Sequence, residues 1–421
     1  MSPQELSITS TPKEKIASFG SALFISEFPG VAKTQSQIAK TLLDQGVDIH
    51  IVSSSEGLEE FQRAIPELIS TNTPENPDWV FISHLTEFEN QYIQRIQQSN
   101  PSVKIGLIEQ TEGDAKQSLE NSSTFGIQPN LILSISETST VSLSKLFPEF
   151  PGMIFPLGNA EMDHLLDFDI QENRELVRKK LSIPDKDKIV TFIGRPPGAI
   201  YGQKELSDAD MNSTILLELT ASMFQIALDH PEVSFHILNL PHPSQDFDQP
   251  QLYDAIQKTL PNNLIFDTLG KHYLLDLELS SLQLCAASDL CTTIRSTLAL
   301  QTSMLGTLPQ SDNAPLTLHL LFERYASYIE PEANPLDISQ LVQGAAISVT
   351  QPKDLSEAIQ ESLFNRILKS TIFENQKLLA KDFRFGSKNI AQRAAFTINL
   401  FHDHPELLAG FQNTAFPANL D

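Results

Sequence analysis

Twice along this chain, short apolar runs alternate with longer stretches of helical periodicity, and this alternation constrains the fold more than any other feature. A run of five or six Val, Ile, Leu and Phe residues is what a strand buried on both faces requires. A helix after each such strand carries the chain back over the sheet, so the pattern predicts βαβ units and parallel sheets. In the first half the runs are SALFIS (21–26), VDIHIV (47–52), DWVFIS (78–83), VKIGLI (103–108) and NLILSI (130–135). Helical periodicity falls at 34–45, where Ile38 and Leu42 share a face and Gly46 stops the helix, and again at 87–98 and 137–147. The pattern restarts with KIVTFI (188–193), VSFHIL (233–238), NLIF (263–266), DLCTT (289–293) and AAISV (345–349). Helices are expected at 212–229, 276–287, 296–305 and 354–368.

A length of 421 residues suits two such domains better than one core. The expected layout is a disordered tail over 1–19 and a first α/β domain over 20–157. A charged connection over 158–187 with one short helix (171–181) follows. A second α/β domain spans 188–387, and a helix (388–402) and tail close the chain over 388–421.

The net charge of −24, from 29 Lys and Arg against 53 Asp and Glu, argues against a nucleic-acid surface, which needs a basic stripe. It argues equally against a general hold on anionic lipid. The two cysteines, Cys285 and Cys291, lie in apolar text without metal-ligand spacing and read as buried thiols in a reducing compartment. The opening MSPQELSITSTPKEK has no apolar core of the kind a secretion signal needs, and no run approaches 18 apolar residues. A cytoplasmic protein without a transmembrane segment is the expectation. Nothing in the sequence speaks to oligomeric state.

Several segments, spread from about residue 20 to 400, carry a resemblance. ALFISEFPGVAKTQSQIAKTLLDQGVDIHIVSS places FPG (28–30) between a strand and a helix. GMIFPLGNAEMDHL (152–165) precedes LVRKKLSIPDKDKIVTFIGRPPG (176–198), in which Gly194-Arg195 ends a strand. NLIFDTLGKHYLLDLELSSLQLCAASDL (263–290) leads into DLCTTIRSTLALQTSMLGTLPQ (289–310). In this order the segments resemble the GT-B glycosyltransferases, especially the retaining family-4 type. The resemblance implies two Rossmann-like, doubly wound α/β domains facing across a cleft. It implies transfer of a sugar from a nucleotide-activated donor to an acceptor, a hexosyltransferase type of reaction, with no metal and no other cofactor.

Residue by residue, the resemblance sets Gly30 where a glycine loop approaches the donor sugar and its diphosphate, aided by the N–H groups of a helix start. His84, after DWVFIS, takes the place of a histidine facing the donor sugar, where it could hydrogen-bond a hydroxyl or move a proton. Arg195, with Lys204 as a second cation, would stabilise the leaving diphosphate. Leu269 and Gly270 would offer backbone contacts to the base. Ser296 and Thr297 open a helix and either cap it or meet a phosphate. The family carries a Glu at each of two positions that here hold Thr293 and Gln301; the acidic pair is absent, although Gln301 can still bond ribose hydroxyls. Glu27, Glu109 and Glu112 follow strands at the same sheet edge as candidate bases.

Two further readings stand beside the transferase. The missing acidic pair suits a catalytically degenerate GT-B protein acting as a binding or scaffolding partner. A nucleotide-sugar 2-epimerase would use the same scaffold but needs several acidic and His groups together, which the sequence alone does not assemble.

Overall fold

The computed structural model describes residues 4–8, 17–70, 76–110, 114–158, 160–194, 208–241, 256–294, 296–308, 311–323, 339–383 and 390–404. The chain divides into two compact units, Met1–His164 with Lys381–Asp421, and Leu165–Ala380.

The first unit holds strands β1 (Gln4–Ile8), β2 (Ser21–Ser26), β3 (Asp48–Ser53), β4 (Ile69–Ser70), β5 (Trp79–Ile82), β6 (Lys104–Ile108), β7 (Leu131–Ser134) and β8 (Met153–Pro156). Its helices are α1 (Pro29–Asp44), α2 (Ser55–Ala64), α3 (Glu87–Ser99), α4 (Asp114–Phe125) and α5 (Glu137–Leu146). The strands form one sheet in the order β4-β1-β3-β2-β5-β6-β7-β8. From β3 to β8 every pairing is parallel, while β1 runs antiparallel to β3 and β4. Residues 4–8 are therefore a strand, where the sequence suggested only a disordered tail.

Period-two alternation sends the strands' side chains to two cores. From β2, Ala22 and Phe24 enter one cluster with Ile49, Ile51, Trp79 and Phe81; Leu23 and Ile25 enter the other with Val80, Ile82, Ile105 and Leu107. The first cluster contains a run of rings: Phe24 lies 5.0 Å from Phe81, which lies 5.4 Å from Trp79 at an interplanar angle of 6°. Gly106 pairs with Phe81 across the strands, and a Cβ there would stand 2.5 Å from Phe81 Cδ1. Glycine occupies mid-strand because the ring covers it.

The C-terminal helix, Ile390–Asp403, completes this same core through Ile390, Ala391, Ala394, Ala395, Ile398 and Phe401. Its docking site is not readable from sequence. Polar contacts fix its end: Ser18 N donates to Asn399 Oδ1 (3.0 Å), and Trp79 Nε1 donates to His402 Nδ1 (3.3 Å).

The second unit contains β9 (Lys188–Ile193), β10 (Phe235–Leu240), β11 (Leu264–Thr268), β12 (Leu290–Thr293), β13 (Leu316–Leu320) and β14 (Ile347–Val349). Described helices are α6 (Ile170–Lys180), α7 (Asp208–Asp229), α8 (Lys271–Asp276), α9 (Ser281–Ala287), α10 (Thr297–Leu305), α11 (Ser339–Val342), α12 (Leu355–Phe364) and α13 (Arg366–Asp382). All pairings in this sheet are parallel, in the order β11-β10-β9-β12-β13-β14. Ile189, Leu238 and Leu240 pack with Val177 and Ile183 near α6, while Val190, Phe192, Phe235 and Ile237 pack with Ile215, Leu219 and Met223 of α7.

Three sequence expectations change here. The helix expected over 276–287 starts only at Ser281, after a short helix that ends at Asp276, because Glu278 takes a left-handed backbone (φ 51°) and Ser280 caps a new start with Gln283 as its capping-box partner. The helix expected over 354–368 divides at Asn365, whose Oδ1 accepts from Ile367 N (3.0 Å) and Leu368 N (3.1 Å). The region 158–187 is more than a link: it holds a 3-10 helix (Ala160–Asp167) and α6, and α6 is part of the second unit. Strand β13, from LTLHL, was not anticipated.

Candidate functional site

In an open α/β sheet, ligands bind outside the carboxyl ends of the strands where the strand order reverses. The first sheet reverses between β2 and β5, since the chain leaves β2 for β3 on one side and returns to β5 on the other. The second reverses between β9 and β12 in the same way.

At the first reversal, β2 runs into Glu27, Phe28, Pro29 and Gly30, and β5 runs into Ser83 and His84. Phe28 is the N-cap of α1 and gives no side-chain bond, while Pro29 takes the first helical turn. Gly30 lies against Gln110 from the end of β6; a Cβ on it would stand 3.0 Å from Gln110 Nε2. His84 faces the Phe28 ring edge-on at 5.7 Å. The structure thus places Gly30 and His84 at one edge of the first sheet.

His84 Nε2 lies 3.3 Å from Asp114 Oδ1, at the start of α4. Its other nitrogen, Nδ1, is buried and has no hydrogen-bond partner among the described residues. Burial alone would lower the imidazolium pKa, but the Asp114 carboxylate, with Glu89 and Glu27 further off, raises it to about 9. Glu89, in the first turn of α3, is pushed up to about 8 by burial, which outweighs the attraction of His84 and a hydrogen bond from Thr86. Thr86 ties the group together: its N–H donates to Glu89 Oε2 (3.1 Å) and its hydroxyl donates to Glu27 Oε2 (3.1 Å). A histidine gripped at one nitrogen by a carboxylate, and free at the other, can hold or pass a proton.

Asp114 and Glu89 were not singled out by sequence. Asp114 follows β6 at no fixed spacing from His84, and Glu89 reads as half of a capping box, T-E-F-E, which it also is. Of the other acids at this edge, Glu109 is committed, accepting from Ile135 N (3.0 Å) and Ser139 Oγ (2.6 Å). Glu112 lies outside the described residues.

At the second reversal, Gly194 follows β9 and donates its N–H to Leu240 O (2.8 Å). Thr293 is fully buried and its hydroxyl donates to Ile193 O (3.3 Å); Gln301 is also buried, in α10. Ser296 caps α10 by accepting from Leu298 N (3.2 Å), and Thr297 begins that helix. Arg195 and Lys204 lie outside the described residues. A crevice beside this edge is lined by Phe192, Gly194, Asn212, Leu216, Asn239 and Pro241. Leu269 and Gly270 end β11, two strands away from β9, so the structure does not bring them to the reversal. The Leu269 N–H is taken by Asn239 O (2.8 Å), whereas a Cβ on Gly270 would meet nothing within 4 Å. Cys285 and Cys291 are buried. Among the described residues no group of three or more His, Cys, Asp or Glu is placed to hold a metal ion, and no helix is long and apolar enough to cross a membrane.

Solved structures match the chain nearly end to end, among them the following two. UDP-GlcNAc 2-epimerase from Methanocaldococcus jannaschii shares 14% identity and a TM-score of 0.54, covering 90% of this chain and 99% of that one. A glycosyltransferase from Rickettsia africae shares 13% identity and a TM-score of 0.54, covering 91% and 98%. The chain has a GT-B fold, in a divergent form. No family description and no curated protein matches the sequence, so the GT-B assignment rests on structure at low identity. It agrees with two Rossmann-like sheets, of which the second has the strand order 3-2-1-4-5-6 when its strands are numbered from β9.

Proposed function

We propose that this GT-B protein is a glycosyltransferase that takes a sugar from a nucleotide-activated donor and acts without a metal. The observation that carries the reading is the His84–Asp114 pair at the strand-order reversal of the first sheet, with Nδ1 unpartnered. In the transfer, the bond from the sugar's anomeric carbon to the diphosphate breaks and a bond to the acceptor oxygen forms. The departing diphosphate takes the electron pair of the broken bond and gains negative charge, and one of its oxygens accepts the proton that the acceptor hydroxyl loses. An imidazolium at His84 donates a hydrogen bond to the donor sugar and favours that build-up of charge. Arg195, at the end of β9 by sequence, would serve the diphosphate, with Lys204 as a second cation and Ser296 and Thr297 at the start of α10. A cytoplasmic location is part of this reading.

One observation favours a second reading. Glu27, His84, Glu89 and Asp114 form the acid and His group that a nucleotide-sugar 2-epimerase needs, and one structural neighbour is named as such an enzyme. One experiment separates the two. The protein is incubated with UDP-, GDP-, CDP- and ADP-sugars, with nucleoside diphosphate release followed enzymatically and the sugar by NMR. The transferase reading expects slow release by hydrolysis, lost in His84→Gln. A changed sugar configuration without release supports the epimerase. Binding with neither outcome leaves a degenerate binding protein and ends both enzymatic readings.

A further inference from the structure

The chain's one tryptophan, Trp79, opens β5 at the amino-terminal edge of the first sheet and is 1% exposed. Its Nε1 donates to His402 Nδ1 (3.3 Å), in the last turn of the C-terminal helix. A buried indole N–H needs an acceptor, and here the acceptor is an imidazole. Nδ1 accepts only while it carries no proton, so this bond requires a neutral His402 with its proton on Nε2.

The charges around the bond add to that requirement. Lys104, on β6, donates its ammonium to His402 O (3.2 Å) and stands 5.6 Å over the Trp79 ring. Burial lowers the Lys104 pKa, against the attraction of Asp403 and Asp78. A proton on Nδ1 would face the positive edge of the indole and set a second cation beside Lys104. Of the acids on the elements packed here, Asp78 accepts from Gly20 N (2.7 Å) and Ser21 N (3.0 Å), and Asp44 of α1 is paired with Lys40. Asp403 and His404, at the end of the helix itself, are exposed. The Phe19 ring lies 5.3 Å from the imidazole, tilted by 36°, and packs against it in either charge state.

One turn earlier, uncharged groups hold the same helix. Asn399 Oδ1 accepts from Ser18 N (3.0 Å), and Asn399 Nδ2 donates to Gln45 Oε1 (3.0 Å). Neither bond titrates near neutral pH, so Asn399 bounds what a proton on His402 can release. Beyond it lie residues 400–404, with Phe401 buried among them.

We propose that His402 is a pH-sensitive latch: neutral, it holds the last turn of the C-terminal helix to β5 through Trp79, and protonated, it gives up that bond and frees the turn from the sheet. Free imidazole titrates at about pH 6.5. The latched form favours the neutral ring, so the latch is complete above about pH 6.5 and is lost as pH falls below it. It sits at the edge of the first sheet opposite His84 and stands independently of the glycosyltransferase reading.

The test uses the full-length protein labelled with nitrogen-15 tryptophan, which gives a single indole N–H resonance because Trp79 is the only tryptophan. The resonance is followed from pH 8 to pH 5 in wild type, in His402→Gln and in Lys104→Met. Acrylamide quenching of Trp79 fluorescence, corrected for lifetime, is read over the same range, with circular dichroism as the check on folding. In wild type a sigmoidal upfield shift of the indole proton is expected as pH falls, with a quenching constant that rises at least twofold. In His402→Gln, whose side-chain oxygen accepts the indole N–H at every pH, both stay level. In Lys104→Met, which removes the neighbouring cation, the transition moves to higher pH. The proposal is overturned if the wild-type shift or quenching stays level, if His402→Gln follows the wild-type curve, or if Lys104→Met leaves the transition where it was.

Discussion

Replacing Asp114 with Asn tests the electrostatics of the candidate site directly. Asp114 is the largest source of the positive shift at His84, against a burial effect that pulls the other way. Raising the imidazolium pKa from 6.5 to about 9 corresponds to about 3.4 kcal/mol, at 1.36 kcal/mol per unit. That is an upper figure, because His84 keeps 23% of its side-chain exposure and shares its field with Glu89. A loss of about 1–3 kcal/mol is the working expectation. Since the folded-state pKa is raised, the stabilisation is complete below pH 6.5 and fades as pH rises through about 9. In Asp114→Asn burial prevails and His84 becomes neutral at pH 7. The assay is urea unfolding of both proteins at pH 6 and pH 10, with His84 titrated by imidazole NMR and assigned through His84→Gln. A wild-type His84 that titrates near 6.5, or a stability gap equal at both pH values, would refute the reasoning.

Glu89→Gln tests the neighbouring group. Burial raises the Glu89 carboxyl to about 8, so wild type should lose stability relative to this variant as pH climbs from 4.5 to about 8; parallel pH profiles would contradict it. Gly106→Ala places a methyl against the Phe81 ring and is expected to destabilise by about 1–3 kcal/mol in chemical denaturation, through overpacking of the ring run. Gln301→Glu restores the carboxylate that the family resemblance expects and should tighten nucleotide binding in calorimetry. Unchanged or weaker affinity would leave residue 301 a packing residue of α10.

The scaffold was legible because buried parallel strands must be apolar on both faces, and SALFIS, DWVFIS and KIVTFI announce that requirement in six residues each. What escaped was set by local chemistry or by distance along the chain. Asn365 and Ser280 divide helices by side-chain caps that a periodicity of 3.6 does not register. β1 joins the sheet antiparallel, between β3 and β4, from a polar segment whose composition resembles a tail. The C-terminal helix returns to the first unit across more than 200 residues, which no local pattern encodes. The candidate site shows the same division. Gly30 and His84 follow strands and could be found from that position alone. Asp114 could not, because the fold rather than any spacing delivers it to His84. Thr293 and Gln301, placed by counting along a helix, prove to be buried side chains.

The most direct test of the central claim is calorimetry of UDP, GDP, CDP and ADP against wild type and Arg195→Ala. The account predicts saturable binding of at least one nucleoside diphosphate, weakened at least tenfold by the substitution. No heat from any of them, with a protein shown to be folded, would contradict it.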